Sequence, residues 1–132
     1  MGAWGSGVFE NDDAGDWVWE LEDDTDGSVI VEALSIIVDT PIDEQPDASD
    51  SSNALAAAEV VASARGPRTE GLPTEASVWI AAHASLVDAS WLALASGAVE
   101  RIAIDSELKD LWDDAGDDAW AVVVADLLSR LR

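Results

Sequence analysis

Glu22, Asp24 and Asp26 stand at alternate positions and are followed by Gly27, so three carboxylates and a glycine fall where a helix-to-helix calcium loop places its first ligands and its sharp turn. The pattern then departs from that loop. Its twelfth position, which supplies a two-oxygen Glu ligand, is Ala33, and Glu32 comes one residue early. An acidic turn between two helices, with Asp26 or Ser28 as cap, accounts for the same residues. Asp12 and Asp16 lie one helical turn apart and form a second candidate pair, in the roles of general acid and base. With 28 acids in 132 residues, however, such pairs arise throughout the chain. His83 is the only histidine and there is no Cys, which removes His-pair metal sites, thiolate chemistry and disulfides. No serine sits in the glycine-framed elbow that a Ser–His–Asp arrangement needs, and no Gly-x-x-x-x-Gly-Lys phosphate loop occurs. Neither a metal nor a cofactor is expected.

The remaining concentration of polar groups is Glu10, Asn11, Asp12, Asp13, Asp16 and Glu20, next to the large apolar residues Trp4, Phe9 and Trp17. Gly2, Gly5 and Gly7 surround Trp4, so residues 1–10 read as an extended, glycine-permissive segment that lays Trp4 and Phe9 across a core. Asn11 or Asp12 then caps a helix carrying Asp16, Trp17, Glu20 and Leu21, with acids at its positive dipole end.

The elements beyond are helical. Ser28 caps a helix with Ile30, Ala33, Leu34 and Ile37 on one stripe, closed by Pro41. Residues 41–52 are polar, acidic and aperiodic and read as an exposed loop. Asn53 opens a helix from Ala54 to Arg65 that stops at Gly66 and Pro67. Pro73 suits a first helical position, with Val78, Trp79 and Ala82 on one side and His83 at the end. Ser85 to Asp88 matches a capping box ahead of a helix whose stripe is Trp91, Leu94, Ala95, Ala98 and Ile102. Asp105 or Ser106 caps a short helix through Leu108, Leu111 and Trp112 to Gly116, and a last helix carries Trp120, Val123, Val124, Leu127 and Leu131. Six or seven helices over residues 1–132 predict an all-α single-domain bundle.

Charge narrows the partners. The net charge is −22, so direct nucleic-acid binding and an anionic membrane surface are both disfavoured. Residues 1–64 carry sixteen acids and no base, whereas residues 65–132 carry twelve acids and all six bases. Lys109 is the only lysine, and Asp outnumbers Glu by 18 to 10, a bias that also suits solubility in a very salty interior. No apolar run approaches the roughly 18 residues of a membrane span and the opening has no basic leader, so a cytoplasmic protein is expected.

The opening, Met1-Gly-Ala-Trp-Gly-x-Gly-x-Phe-Glu-Asn-Asp-Asp-Ala-Gly-Asp-Trp17, resembles that of domain-of-unknown-function family 4259, a group of small prokaryotic proteins. Collinear similarity continues through Ala56 to Arg65, Leu72–Pro73 followed by Trp79 and His83, and Asp105-Ser-Glu-Leu-Lys-Asp-Leu-Trp112. The resemblance implies a single-domain protein over most of the chain and brings no established activity with it. Gly15 stands where a larger helix former is expected, which predicts a shortened or bent first turn.

Three functional readings follow. The first is a non-enzymatic binding or regulatory module whose acidic face, residues 10–26, recognises a basic protein. One form of it blocks a nucleic-acid-binding partner by imitating phosphate charge. The second is a carboxylate-dependent hydrolase or cation-binding protein using Asp12 with Asp16, or Glu22, Asp24 and Asp26. The third is an accessory protein whose acids are a high-salt adaptation.

Overall fold

Asn11 sits in extended backbone and accepts a hydrogen bond from the Ala14 N–H, which starts α1 (Asp12–Val18). The computed structural model describes residue 3, residues 5–67 and residues 71–132. Helix α1 tightens into a 3-10 turn, Trp19–Asp23, and is followed by α2 (Ser28–Val38), α3 (Ala48–Arg65) and α4 (Thr74–His83). A second 3-10 turn, Ala84–Leu86, leads into α5 (Ala89–Ile104), α6 (Glu107–Ala115) and α7 (Ala119–Leu131). Seven helices and no strand occur among the described residues, so the fold is all-α. None of these helices is long and apolar enough to cross a membrane.

Helix α3 is the axis of the bundle, touching α1, α2, α4, α5, α6 and α7. Its composition allows this. Ala54, Ala56, Ala57, Ala58 and Ala62 are buried and keep the neighbouring backbones close, while Leu55, Val60 and Val61 fill the gaps between them. Around α3 the stripes meet: Ile30, Leu34 and Ile37 from α2, Ala95, Val99 and Ile102 from α5, and Trp120, Val124 and Leu127 from α7.

Several boundaries differ from the sequence reading. Helix α3 begins at Ala48, capped by Asp47 through the Asp50 N–H, and not after Asn53. The expected exposed loop of residues 41–52 therefore ends at Asp47, and Ser51 and Ser52 are buried helix residues. Gly27, with φ +79°, caps α2 in place of Ser28. A Cβ there would run into the Trp91 ring, so the position requires glycine both for its backbone and for its packing. Pro73 is the cap of α4 and lies just outside it. Asp88, not Ser85, caps α5, accepting from the Ser90 and Trp91 N–H groups. Val78 points outward, 63% exposed, instead of joining Trp79 in the core.

Among the described residues, the N-terminal segment is not extended throughout. Ala3 pairs with Asn11 in an isolated antiparallel bridge, and the Glu10 carboxylate accepts the Gly7 N–H at 3.0 Å, curling residues 5–10 into a turn. Gly5 and Gly7 lie against that carboxylate, where a Cβ would meet its oxygens. Phe9 is half-buried against the core, and Trp17 is buried. Trp4 and Gly2 lie outside the described residues.

Candidate functional site

Residues 10–26 contain nine of the chain's acids, and the fold sorts them into those that build structure and those that face water. Glu10 holds the N-terminal turn. Asn11 is occupied by its cap and by the hydrogen bond its Nδ2 donates to the Val8 carbonyl, so both residues hold local structure, Glu10 while remaining exposed. Asp13 is exposed and accepts from the Ser49 hydroxyl on α3. Asp12, Asp16, Glu20, Glu22 and Asp23 are exposed, and none takes part in the four ion pairs found among the described residues.

The calcium-like stretch is spent on structure. Asp24 is buried, and its carboxylate accepts from the Gly27 and Val29 N–H groups, the Ser28 hydroxyl and the Trp79 indole. Asp26, just before the Gly27 cap, accepts the Ser28 N–H of the first turn of α2, and this bond with the neighbouring Ser28 side chain holds its carboxyl below the usual range. With Asp24 enclosed and Asp26 engaged, Glu22, Asp24 and Asp26 do not converge on a cation. No group of three acids or His among the described residues is placed to hold a metal ion.

One residue missed in the sequence reading stands out. Trp19, the first residue of the 3-10 turn, is 64% exposed and is the most exposed aromatic side chain among the described residues. The signal was present in its spacing: two residues from Trp17 and two from Leu21, it falls opposite the stripe those two define. Asp16, Glu20, Glu22 and Asp23, all exposed, flank it in sequence, so a large apolar surface lies in an acidic stretch of the chain.

Of the hollows that border this face, two flank α1. On one side a groove of about 250 Å³ runs between the N-terminal turn, α1, α6 and α7, with Val8, Leu108, Leu111 and Trp112 along its apolar wall and Asp12 and Asp13 at its edge. On the other a cleft of about 140 Å³ opens between α1, α2 and α3, lined by Trp17, Glu20 and Ile36 among others. His83 lies apart from these two, on a third cleft of about 530 Å³ that also touches Leu21, Glu22 and Asp24. It ends α4 with its ring centroid 5.4 Å from that of Trp79, a packing role that matches the helix-terminal place read from the sequence.

A family model described as domain of unknown function (DUF4259) matches residues 2–122. The chain belongs to that family. The match covers α1 to α6 and the start of α7, so the N-terminal turn, the acidic face and both hollows are all built from residues within it. No curated protein and no solved structure matches the chain.

Proposed function

We propose that this DUF4259 chain is a non-enzymatic protein-binding module that recognises a basic partner through the face formed by α1 and the following 3-10 turn. The observation that carries the reading is Trp19, 64% exposed among carboxylates that have no cation of their own in the described ion pairs. Carboxylates steer a basic surface and set its orientation, and an aromatic anchor supplies the short-range energy. Burying the exposed part of a Trp removes on the order of 150 Å² from water, about 4 kcal/mol before ordering costs. Exposed Trp is also the side chain most enriched among residues that dominate interfaces.

A twelve-residue synthetic peptide alternating Arg and Leu, titrated by calorimetry, tests the reading. Trp19→Ala is expected to weaken binding about 30-fold, the range of an interface hot spot. Ile104→Ala, which removes another exposed apolar side chain (76% exposed) away from this face, is expected to leave it within about 2-fold. Equal losses for the two variants would mean that the peptide responds to overall charge and apolarity, and the assignment to this face would be wrong.

A further inference from the structure

The cleft between α1, α2 and α3 bears on what the acidic face reads in its partner. Trp17, Val29, Ala33 and Ile36 give it apolar walls. Three separate elements each add one carboxylate: Glu20 from the 3-10 turn, Glu32 from α2 and Asp50 from α3. None of the three is in an ion pair among the described residues. Asn53 also lines the cleft, and its Oδ1 is a buried acceptor without a donor, a state that carries a desolvation cost. Asp50 points the same way, since burial and then the nearby Asp47 push its carboxyl above the usual range, the behaviour of a carboxylate short of a counter-charge.

Size and chemistry together select the occupant. A volume of about 140 Å³ is on the scale of one long side chain. A bare divalent cation does not fit, because no three acids among the described residues are close enough to ligate one and half of the lining is apolar. A long cationic side chain meets both demands, with an aliphatic stem that lies on apolar surface and a head group that supplies donors and positive charge.

We propose that this cleft receives one arginine or lysine side chain of the basic partner, its stem along the apolar lining of Trp17 and Ile36 and its positive head group within the field of Glu20, Glu32 and Asp50, which line the cleft without converging on one point. The proposal rests on the binding reading above and adds to it a specific socket beside the Trp19 anchor. That socket makes the partner's sequence matter as well as its charge.

The test uses the whole chain with carbon-13-labelled isoleucine methyls, titrated with the Arg/Leu peptide, its Lys/Leu counterpart and a citrulline/Leu version that keeps the shape without the charge. The Ile36 methyl is expected to shift saturably with a cationic peptide and to stay in place with the citrulline peptide, while the exposed Ile42 and Ile104 methyls report any general effect. A response to the Arg form alone, the Lys form alone or both identifies the head group accepted. Glu32→Gln is expected to weaken binding about 10-fold, as loss of one close charge pair does, and Glu75→Gln, with the same charge change on α4, by less than about 2-fold. Binding that leaves the Ile36 methyl unmoved, or equal losses for the two variants, overturns the socket and leaves the binding face standing. If neither cationic peptide binds at all, the binding reading falls and the socket falls with it.

Discussion

The indole Nε1–H of Trp79 donates to Oδ2 of Asp24 at 2.8 Å, joining side chains 55 residues apart. The same oxygen accepts the Gly27 N–H at 2.8 Å, so one buried carboxylate ties α4 to the tight turn that launches α2. Asp24→Ala strands both N–H groups in a dry site, and the expected loss is about 3 kcal/mol. For a domain of this length that lowers the unfolding midpoint by roughly 10 °C. Trp79→Phe removes only the donor and some ring volume, and its expected loss is smaller, about 2 kcal/mol. Thermal unfolding followed by circular dichroism measures both. A drop under about 3 °C for Asp24→Ala would show that the joint carries no such share of the stability.

Glu59 and Arg130 form the second long-range tie, a two-pronged pair at 2.7 and 2.8 Å between α3 and α7. The Glu59 side chain is only 4% exposed, and Ser63 donates to the same carboxylate at 3.1 Å. Arg130 also reaches Asp126, and the Glu59 hydrogen bonds, ahead of the other influences, hold its guanidinium proton more tightly than usual. Removing the cation alone leaves an enclosed charge unpaired, so Arg130→Met is expected to cost about 3 kcal/mol. Glu59→Gln combined with Arg130→Met removes that isolated charge and should recover at least about 1 kcal/mol of the loss. Denaturant unfolding of the two singles and the double gives the coupling. Strictly additive losses would mean that the pair contributes no interaction of its own.

What the sequence revealed depended on contrast. Stripes that face solvent on one side were plain, so α2, α5 and α7 and most of their buried residues were legible from spacing, although Val99, fully buried in α5, lies outside the stripe read there. Helix α3 lacks that contrast because it is buried almost all round from Ser51 to Ser63, and its first turns, Ser49, Asp50, Ser51, Ser52 and Asn53, have the composition of a loop. The start of the helix is fixed instead where the α3 N-terminus meets α6: Glu107 accepts the Ala48 N–H and donates its own N–H to the Pro46 carbonyl. That is a tertiary contact no local pattern contains. The acidic stretch was visible, but not its division of labour: Asp24 and Glu10 differ from Asp16 and Glu20 only in which backbone N–H groups and side chains the fold brings to them. The cleft was illegible for the same reason, since its three carboxylates come from three elements.

Salt separates the binding reading from the view that the acids serve only solubility. The described residues expose 6700 Å² against a net charge of −22, about one net charge per 300 Å² and a mean spacing near 17 Å. That spacing is well within the Debye length of about 30 Å at 0.01 M salt and beyond the length of about 8 Å at 0.15 M. Repulsion should therefore be screened by moderate salt. The chain is expected to be folded at about 0.05 M KCl, with an unfolding midpoint that rises and then levels by about 0.5 M. A fold that forms only near molar salt would instead assign the carboxylates to a saline interior and remove their support for a basic partner. A calcium arm at fixed ionic strength addresses the cation-binding reading. Because Asp24 is fully engaged by Trp79, Gly27, Ser28 and Val29, millimolar calcium is expected to move the midpoint by less than about 1 °C, whereas a specific site would raise it through ligand linkage.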